Sequence, residues 1–485
     1  MPGSRLSSIC ALTTERISPM HSPEQKLAAL GIATERPKPS ARGQPDAVGE
    51  EKFALEFADR YDGRFVYDHD RGGWFRWTGE IWLRDTDEYA LDCVRALVRE
   101  FGGSRVRVAT AVERAARTDR RLARDHGAWN ADPLLLGVPG GVVDLRTGTL
   151  LPPKPAQMIN MATGSRLAAP GTPCPLWMNF LHDATRGDES LQRFLQQRAG
   201  YWLTGDTSRE DFDFFHGPGG NGKGVFLKTI TSIMGNYAAS APIGMFLATK
   251  HDAHPTELAR LADARLVVAS ETEEGRAWNT AKVKQLTGNE VSIPARFMKC
   301  DFFEFQPKFK ICFVGNAKPA IRTVDDAIAR RLNLVPFTFK PAQSDSDLKQ
   351  KLEIEYPAIL RWMVDGWLDM QANGPVRPEV IAAATEQYLN DENIIGAWIA
   401  ENCIRGPSAS QLLKELYADW RQWCEANQEQ PGTNRGFKKK LERLGDMTFR
   451  PSMRSVVVKG LRCSTEYDRE PSQSAFPLDN DGMNE

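Results

Sequence analysis

The spacing of hydrophobic positions changes repeatedly along this chain, and each change marks an expected element. Residues 1–48 are rich in Pro, Ser, Ala and charge with weak periodicity, which predicts a disordered, mobile arm. From Phe53 the character changes. The stretch RFVYDHDRGGWFRWTGEIWLRD alternates aromatic and polar residues around Gly72–Gly73 and Gly79–Glu80, the pattern of a β-hairpin or small meander. Trp74, Trp77 and Trp82 read first as the core of that sheet, with base-stacking platforms as the alternative. YALDCVRALVREF has helical spacing and RVRVATAVERAARTDRRLARD continues as a basic helical stretch, so residues 49–130 form a small α+β region. LLLGVPGGVVDLRTGTLLP predicts two short strands joined by a turn around Asp144 to Gly148. CPLWMNFLHDAT and SLQRFLQQRAGYWLTG then carry helical apolar spacing, which makes residues 131–205 mostly helical.

Residues 206–345 behave differently. A strand over Phe212–His216 runs into a glycine loop and a helix from Lys223 to Met234. ARLVVASETEE reads as an apolar strand ending in acids, NTAKVKQLTG as a helix, VSIPARFMKCDFFEFQP as a β-hairpin and KFKICFVGNAKP as a buried strand. Short apolar strands alternating with helices predict an α/β fold with a parallel sheet flanked by helices. A helical linker over 346–377 follows. Residues 378–463 show three helical stretches and then two short strands, an order that suits a winged-helix module. The acidic, polar tail 464–485 is expected to be disordered.

Composition narrows the function classes. No apolar run approaches the ~18 residues of a membrane helix, and the N-terminus lacks a secretory pattern, so the expected location is the cytoplasm, with no membrane partner. Eight cysteines include no C-x-x-C pair, which argues against a zinc site or disulfide framework. The net charge of −1 argues against a simple cationic nucleic-acid coat, yet it conceals local surfaces. Residues 405–463 hold twelve basic residues against six acidic ones, and NRGFKKKLERLG concentrates Arg435, Lys438, Lys439 and Lys440 on one predicted helix. That helix is a candidate DNA reader, and a solvated charged face is the alternative.

The chemistry centres on FFHGPGGNGKGVFLKTI. Gly217, Gly222 and Lys223 fall on the G-x-x-x-x-G-K-[ST] pattern, while Gly224 occupies the Ser/Thr place. Between a strand and a helix, Gly217, Pro218, Gly219, Gly220, Asn221, Gly222, Lys223 and Gly224 would close backbone N–H groups around a polyphosphate, with the Lys223 ammonium on its outer phosphates. The missing hydroxyl leaves Mg²⁺ to be held by water and carboxylates. Glu271 and Glu273 follow an apolar strand and are the candidates, Glu271 as the catalytic carboxylate and both as metal ligands. Asn316 ends the strand ICFVGN, where an amide can orient water or sense the outer phosphate. Arg330 and Arg331 precede another strand, as an arginine offered across a subunit boundary would.

In order and spacing, HGPGGNGKGVFLKTI, RLVVASETEEG, KVKQLTGNEVSIPARFMKCDFFEFQPKFK, ICFVGNAKP and AIARRLNLVPF resemble the superfamily 3 helicases, in particular the phage and plasmid primase–helicase family. The likeness spans about residues 130–340, with weaker similarity from ~50 to ~465. It implies an AAA+-like P-loop ATPase core using ATP and Mg²⁺ and assembled as a hexameric ring around single-stranded DNA. It also implies a DNA-contacting hairpin within SIPARFMKCDFF, where Arg296 or Lys299 would meet phosphate and Phe297 would pack on sugar or base. Two departures stand out: Gly224 lacks the usual hydroxyl, and Ser270 stands where relatives often carry a second acid, a role left to Glu273. Many relatives carry a primase domain upstream; here no zinc-cysteine cluster precedes the match, although D-x-D pairs stand at Asp68–Asp70 and Asp85–Asp87, and a separate primase is the expectation. The resulting expectation is an ATP-dependent helicase of phage- or plasmid-type DNA replication in a bacterial host. The alternatives are a nucleotide-gated ring that melts or marks an origin without sustained unwinding, and, more remotely, a small-molecule kinase.

Overall fold

A computed structural model describes residues 49–103, 106–248, 255–270, 277–288, 292–296, 302–319, 321, 326–340, 345, 347–452 and 455–465. The expected arm over 1–48 and all but the first two residues of the tail lie outside them. The described chain divides into two units, residues 49–67 with 73–124, and residues 68–72 with 125–465.

The first unit opens with a helix that the sequence reading did not separate from its surroundings, α1 (Glu50–Tyr61). It buries Phe53, Ala54, Phe57 and Ala58, a spacing that gives one apolar stripe, with acids in its first turn and Arg60 in its last. The expected meander is β1 (Phe65–Asp68), β2 (Gly73–Trp77) and β3 (Trp82–Arg84), followed by α2 (Tyr89–Glu100), α3 (Val106–Ala116) and β4 (Ala123–Arg124). The sheet order is β3-β2-β1-β4. Trp74 and Trp82 are buried, as the core reading of the tryptophans expects. Phe57, Phe65 and Tyr67 meet Trp74 edge-on, at centroid separations of 6.0, 6.2 and 5.2 Å. The Trp74 indole N–H donates to buried Glu113, whose charge Arg117 offsets at 2.8 Å.

The second unit begins with an antiparallel sheet, β5 (Leu135–Val138), β6 (Gly141–Asp144) and β7 (Thr149–Leu151). The Asp144–Gly148 turn joins β6 to β7 as expected. A second hairpin at Pro139–Gly140 makes three strands of the two predicted ones.

Helices α4 (Pro175–Thr185) and α5 (Glu189–Trp202) lead to β8 (Phe212–His216) and α6 (Lys223–Met234). Then follow β9 (Ala238–Pro242), α7 (Pro255–Ala259), β10 (Leu266–Ser270), α8 (Thr280–Thr287), β11 (Ile293–Arg296), β12 (Phe302–Phe305), β13 (Lys310–Gly315), α9 (Asp326–Arg331) and β14 (Leu332–Pro336). Strands β14-β8-β13-β10-β9 form one sheet in that order, every pairing parallel. Both faces are covered, which explains the near-continuous apolar strands. Phe212 and Phe214 face a core with Trp278 and Phe313, while Phe215 faces the opposite core with Phe226, Trp202 and Trp177.

Buried charge ties α5 to this sheet. Arg198 donates to Asp213 at 2.6 and 3.0 Å and to Asp211 at 2.8 Å, and Asn333 reaches Asp213 at 3.3 Å. Burial pushes the Asp213 carboxyl up, to about 6, against the pull of the Arg198 charge. Beyond the helix end, Arg265 donates to the carbonyls of Leu203 and Leu135, and Lys310 to those of Thr204 and Asp206. These fully buried cations satisfy carbonyls just past the C-terminus of α5.

Helix α10 (Leu348–Glu353) packs on α6 and α4, and α11 (Tyr356–Asn373) returns over α5. This last contact requires two glycines: a Cβ on Gly200 would sit 2.4 Å from Met363 O, and one on Gly366 2.3 Å from Gln196 O. The chain then forms α12 (Glu379–Asn402), β15 (Cys403–Leu412), α13 (Leu413–Ala426), α14 (Asn434–Leu444), β16 (Thr448–Ser452) and β17 (Ser455–Cys463). Strand order β15-β17-β16 is antiparallel, over a core of Trp398, Trp420, Phe437, Leu441, Val458 and Leu461. Here the sequence reading expected two strands and the structure has three. CIRGPSASQL offers little apolar alternation; β15 is held by pairing with β17, and its register shifts between Arg405 and Ser410.

Candidate functional site

The C-terminal edge of the parallel sheet carries the glycine loop. β8 ends at His216, in register with Gly315 of β13 and Pro336 of β14. Residues leaving β8 and β13 therefore emerge side by side. Gly217, Gly220 and Gly222 have φ of 145°, 78° and 90°, conformations open to glycine. A Cβ on Gly217 would lie 1.9 Å from Phe337 O, so the loop approaches the end of β14 more closely than any side chain allows. The Asn221 amide donates to the same carbonyl.

Lys223, the first residue of α6, is drawn inward. Its Nζ donates to Gly217 O at 2.6 Å, Asn221 Oδ1 at 3.2 Å, Pro218 O at 3.3 Å and Asn316 Oδ1 at 3.3 Å. Two residues 93 apart in sequence, both expected at one site, are thus brought into contact. Burial lowers the Lys223 pKa, which leaves the ammonium readily attracted to an anion. Gly224 faces open space, with nothing within 4 Å of a Cβ placed there. Sterics do not exclude a Ser or Thr hydroxyl at that position. The neighbouring β10 ends at Ser270, paired with Val314. Glu271, Glu273 and Lys299, with Phe297, lie outside the described residues.

His216 was not singled out from sequence. Its Nε2 is buried without a hydrogen-bond partner among the described residues. Burial, with the Lys318 and Lys223 charges, pushes its imidazole down to about 4 from an ordinary 6.5. A histidine held neutral in the fold but protonated in the unfolded chain costs stability as pH falls from about 6.5 to about 4, and no further below that. Denaturant midpoints measured at pH 7.5 and 4.5 should therefore diverge more in the wild type than in His216→Asn. Equal pH slopes in the two proteins would contradict the assignment.

The remaining candidates sit elsewhere. β11 and β12 form the expected hairpin, with Arg296 paired to Phe302 at the last described step and its guanidinium 5.1 Å from that ring. Ile293, Ala295 and Phe305 are buried and anchor the hairpin base, while Phe302 in the last described pair is exposed. Arg330 and Arg331 precede β14, whose first residue Leu332 pairs with Phe212; they stand at the edge of the sheet opposite the glycine loop. Arg331 is committed within the chain, donating to Glu210 and to Ala327 O at 3.0 Å. Arg330 is 66% exposed in its side chain, with Glu210 at 3.5 Å. On α14, Arg435 and Lys439 are exposed and one turn apart, whereas Lys438 lies 5.8 Å from the Phe449 ring and Lys440 6.0 Å from the Trp420 ring. The four basic residues are not one equivalent face.

The family model described as D5 N terminal like matches residues 54–186, and a family of unknown function, DUF5906, matches residues 215–331. The chain is 27% identical over 262 residues to "Putative helicase 022R" of Frog virus 3 (isolate Goorha), covering 50% of this chain and 27% of that one. To "Putative helicase L207/L206" of Acanthamoeba polyphaga mimivirus it is 23% identical over 320 residues, covering 60% of this chain and 33% of that one. These matches support the likeness to the phage-type primase–helicase family. The apo structure of the NrS-1 C-terminal region aligns over 86% of this chain and all of that one, at TM-score 0.47 and 10% identity. The chain spans about a third or less of the length of the two viral relatives. No described helix is long and apolar enough to cross a membrane.

Proposed function

We propose that this chain is an ATP hydrolase that drives a DNA helicase, translocating on single-stranded DNA in phage- or plasmid-type replication within a bacterial host. The contact of Lys223 with Asn316 at the mouth of a glycine loop carries the reading, because a structural turn would need neither residue. The sheet order, with the loop strand β8 between β14 and β13, supports an AAA+-like P-loop core. The helix–strand–helix–helix–strand–strand order of α12 to β17 supports a winged-helix DNA-binding module, with Arg435 and Lys439 as its outward cations.

In this mechanism the loop amides and Lys223 hold the triphosphate of ATP, and Asn316 orients the attacking water. Glu271 acts as the base on that water. Glu271 and Glu273 would also hold Mg²⁺, which supplies charge neutralisation at the outer phosphates, and the open space at Gly224 fits a metal shell completed by water. Arg330 stabilises developing charge in a neighbouring copy's site, since β14 separates it from its own loop by about 16 Å. The hairpin of Arg296 and Lys299 grips the strand, in a homo-hexameric ring served by a separate primase.

The test is steady-state ATP hydrolysis with Mg²⁺, with and without single-stranded DNA, alongside displacement of a labelled strand. Wild type should turn over faster with DNA and displace the strand, and Glu271→Gln should do neither. Gly224 is what favours a nucleotide-gated ring instead; that reading prevails if ATP binds but wild type hydrolyses it no faster than Glu271→Gln.

A further inference from the structure

The segment after β14 folds back across the glycine loop. Phe337 O receives the Asn221 amide and occupies the space where a side chain on Gly217 would stand. Three residues later the Lys340 side chain runs along the loop. Its Cε, Cδ and Cγ lie 3.3, 3.9 and 4.0 Å from the position of a Cβ on Gly220. Between them, Phe339 lies under the Arg186 guanidinium, 5.3 Å from its ring centre. Arg186 ends α4, and α4 touches the loop in turn: Phe180 and Ala184 are 3.0 and 3.7 Å from a Cβ on Gly222. The chain segment carrying Lys340 is thus fixed against the loop at both ends.

Lys340 is exposed, and among the described residues it has neither a hydrogen bond nor an ion pair. Most surface lysines lie near a carboxylate or in open solvent; this one is laid over backbone that a polyphosphate would contact. With no hydroxyl at Gly224 to fix a metal, neutralising a triphosphate falls more heavily on the protein's own cations.

We propose that Lys340 is a second phosphate-binding cation of this loop, acting beside Lys223 on a nucleoside triphosphate. The proposal rests on the nucleotide reading of the loop. Lys223 approaches from within, held by carbonyls; Lys340 closes over the loop from solvent. A flexible ammonium that is not tied to a carboxylate can reach the phosphates without breaking an existing ion pair.

The experiment is a fluorescence titration of N-methylanthraniloyl-ATP, in EDTA and in Mg²⁺, on wild type, Lys340→Gln, Lys340→Arg and Lys223→Ala. Lys340→Gln should weaken binding about tenfold in EDTA and less in Mg²⁺, where the metal shares the neutralisation, and Lys340→Arg should recover to within about threefold. Because Lys340 is exposed, all melting temperatures except that of Lys223→Ala should match wild type. If Lys223→Ala loses binding while Lys340→Gln binds as wild type in both conditions, the Lys340 assignment is overturned and the nucleotide reading stands. If wild type does not bind, or Lys223→Ala binds equally well, the nucleotide reading falls and this inference with it.

Discussion

Lys223→Ala should lower ATP turnover by at least about a hundredfold, the usual cost of removing one preorganised group from developing charge. The ammonium has four oxygen contacts, within the loop and on its neighbour Asn316, which fix it on the inner side of the loop, whereas Lys340 lies over the loop from solvent. Lys223→Arg should not rescue, since a planar guanidinium does not fit a site shaped around a point charge under the Gly217 and Pro218 carbonyls. Turnover assays with circular dichroism as the folding control decide the matter. Turnover within about threefold of wild type would mean that the loop does not process nucleotide, whatever its shape.

Arg198→Met should destabilise the second unit by about 3–5 kcal/mol, the range for removing one member of a buried ion pair. Asp211 and Asp213 would be left buried without their guanidinium, and Asn333 could answer only part of the lost bonding. Replacing both sides, as in Arg198→Met with Asp213→Asn, should recover a substantial share, because the Asp213 charge already resists burial. Urea unfolding followed by tryptophan fluorescence measures both variants. A single mutant as stable as wild type would show that the network contributes nothing net.

The parts of this protein legible in its sequence are those encoded locally. The strand Phe212–His216, the loop and the helix from Lys223 fall where the motif puts them, because glycine, lysine and apolar periodicity act over a few residues. Lys223 and Asn316 were each expected at this site, but the contact between their side chains is supplied by the fold. What escaped were features decided by distant partners. Arg198 is one arginine among many in sequence, and only the fold supplies Asp211 and Asp213. Arg330 and Arg331 are adjacent and chemically identical; Glu210 claims the second and leaves the first exposed. Strand β15 has no pattern of its own and exists by pairing with β17. Lys340 follows the last motif, and only the placement of its side chain along Gly220 sets it apart.

The opposed placement of the two reactive edges has a further meaning for assembly. The loop leaves the sheet at the C-terminal ends of the strands and Arg330 stands before the N-terminal end of β14. On the proposed reading, two copies set antiparallel about a twofold axis would complete both their sites at once and leave no edge for a third. A head-to-tail contact instead has each chain giving one edge to one neighbour and receiving the other edge from a second. Such a contact is heterologous: it either closes into a ring, in which every site is complete, or runs on as an open filament with one unfinished site at its end.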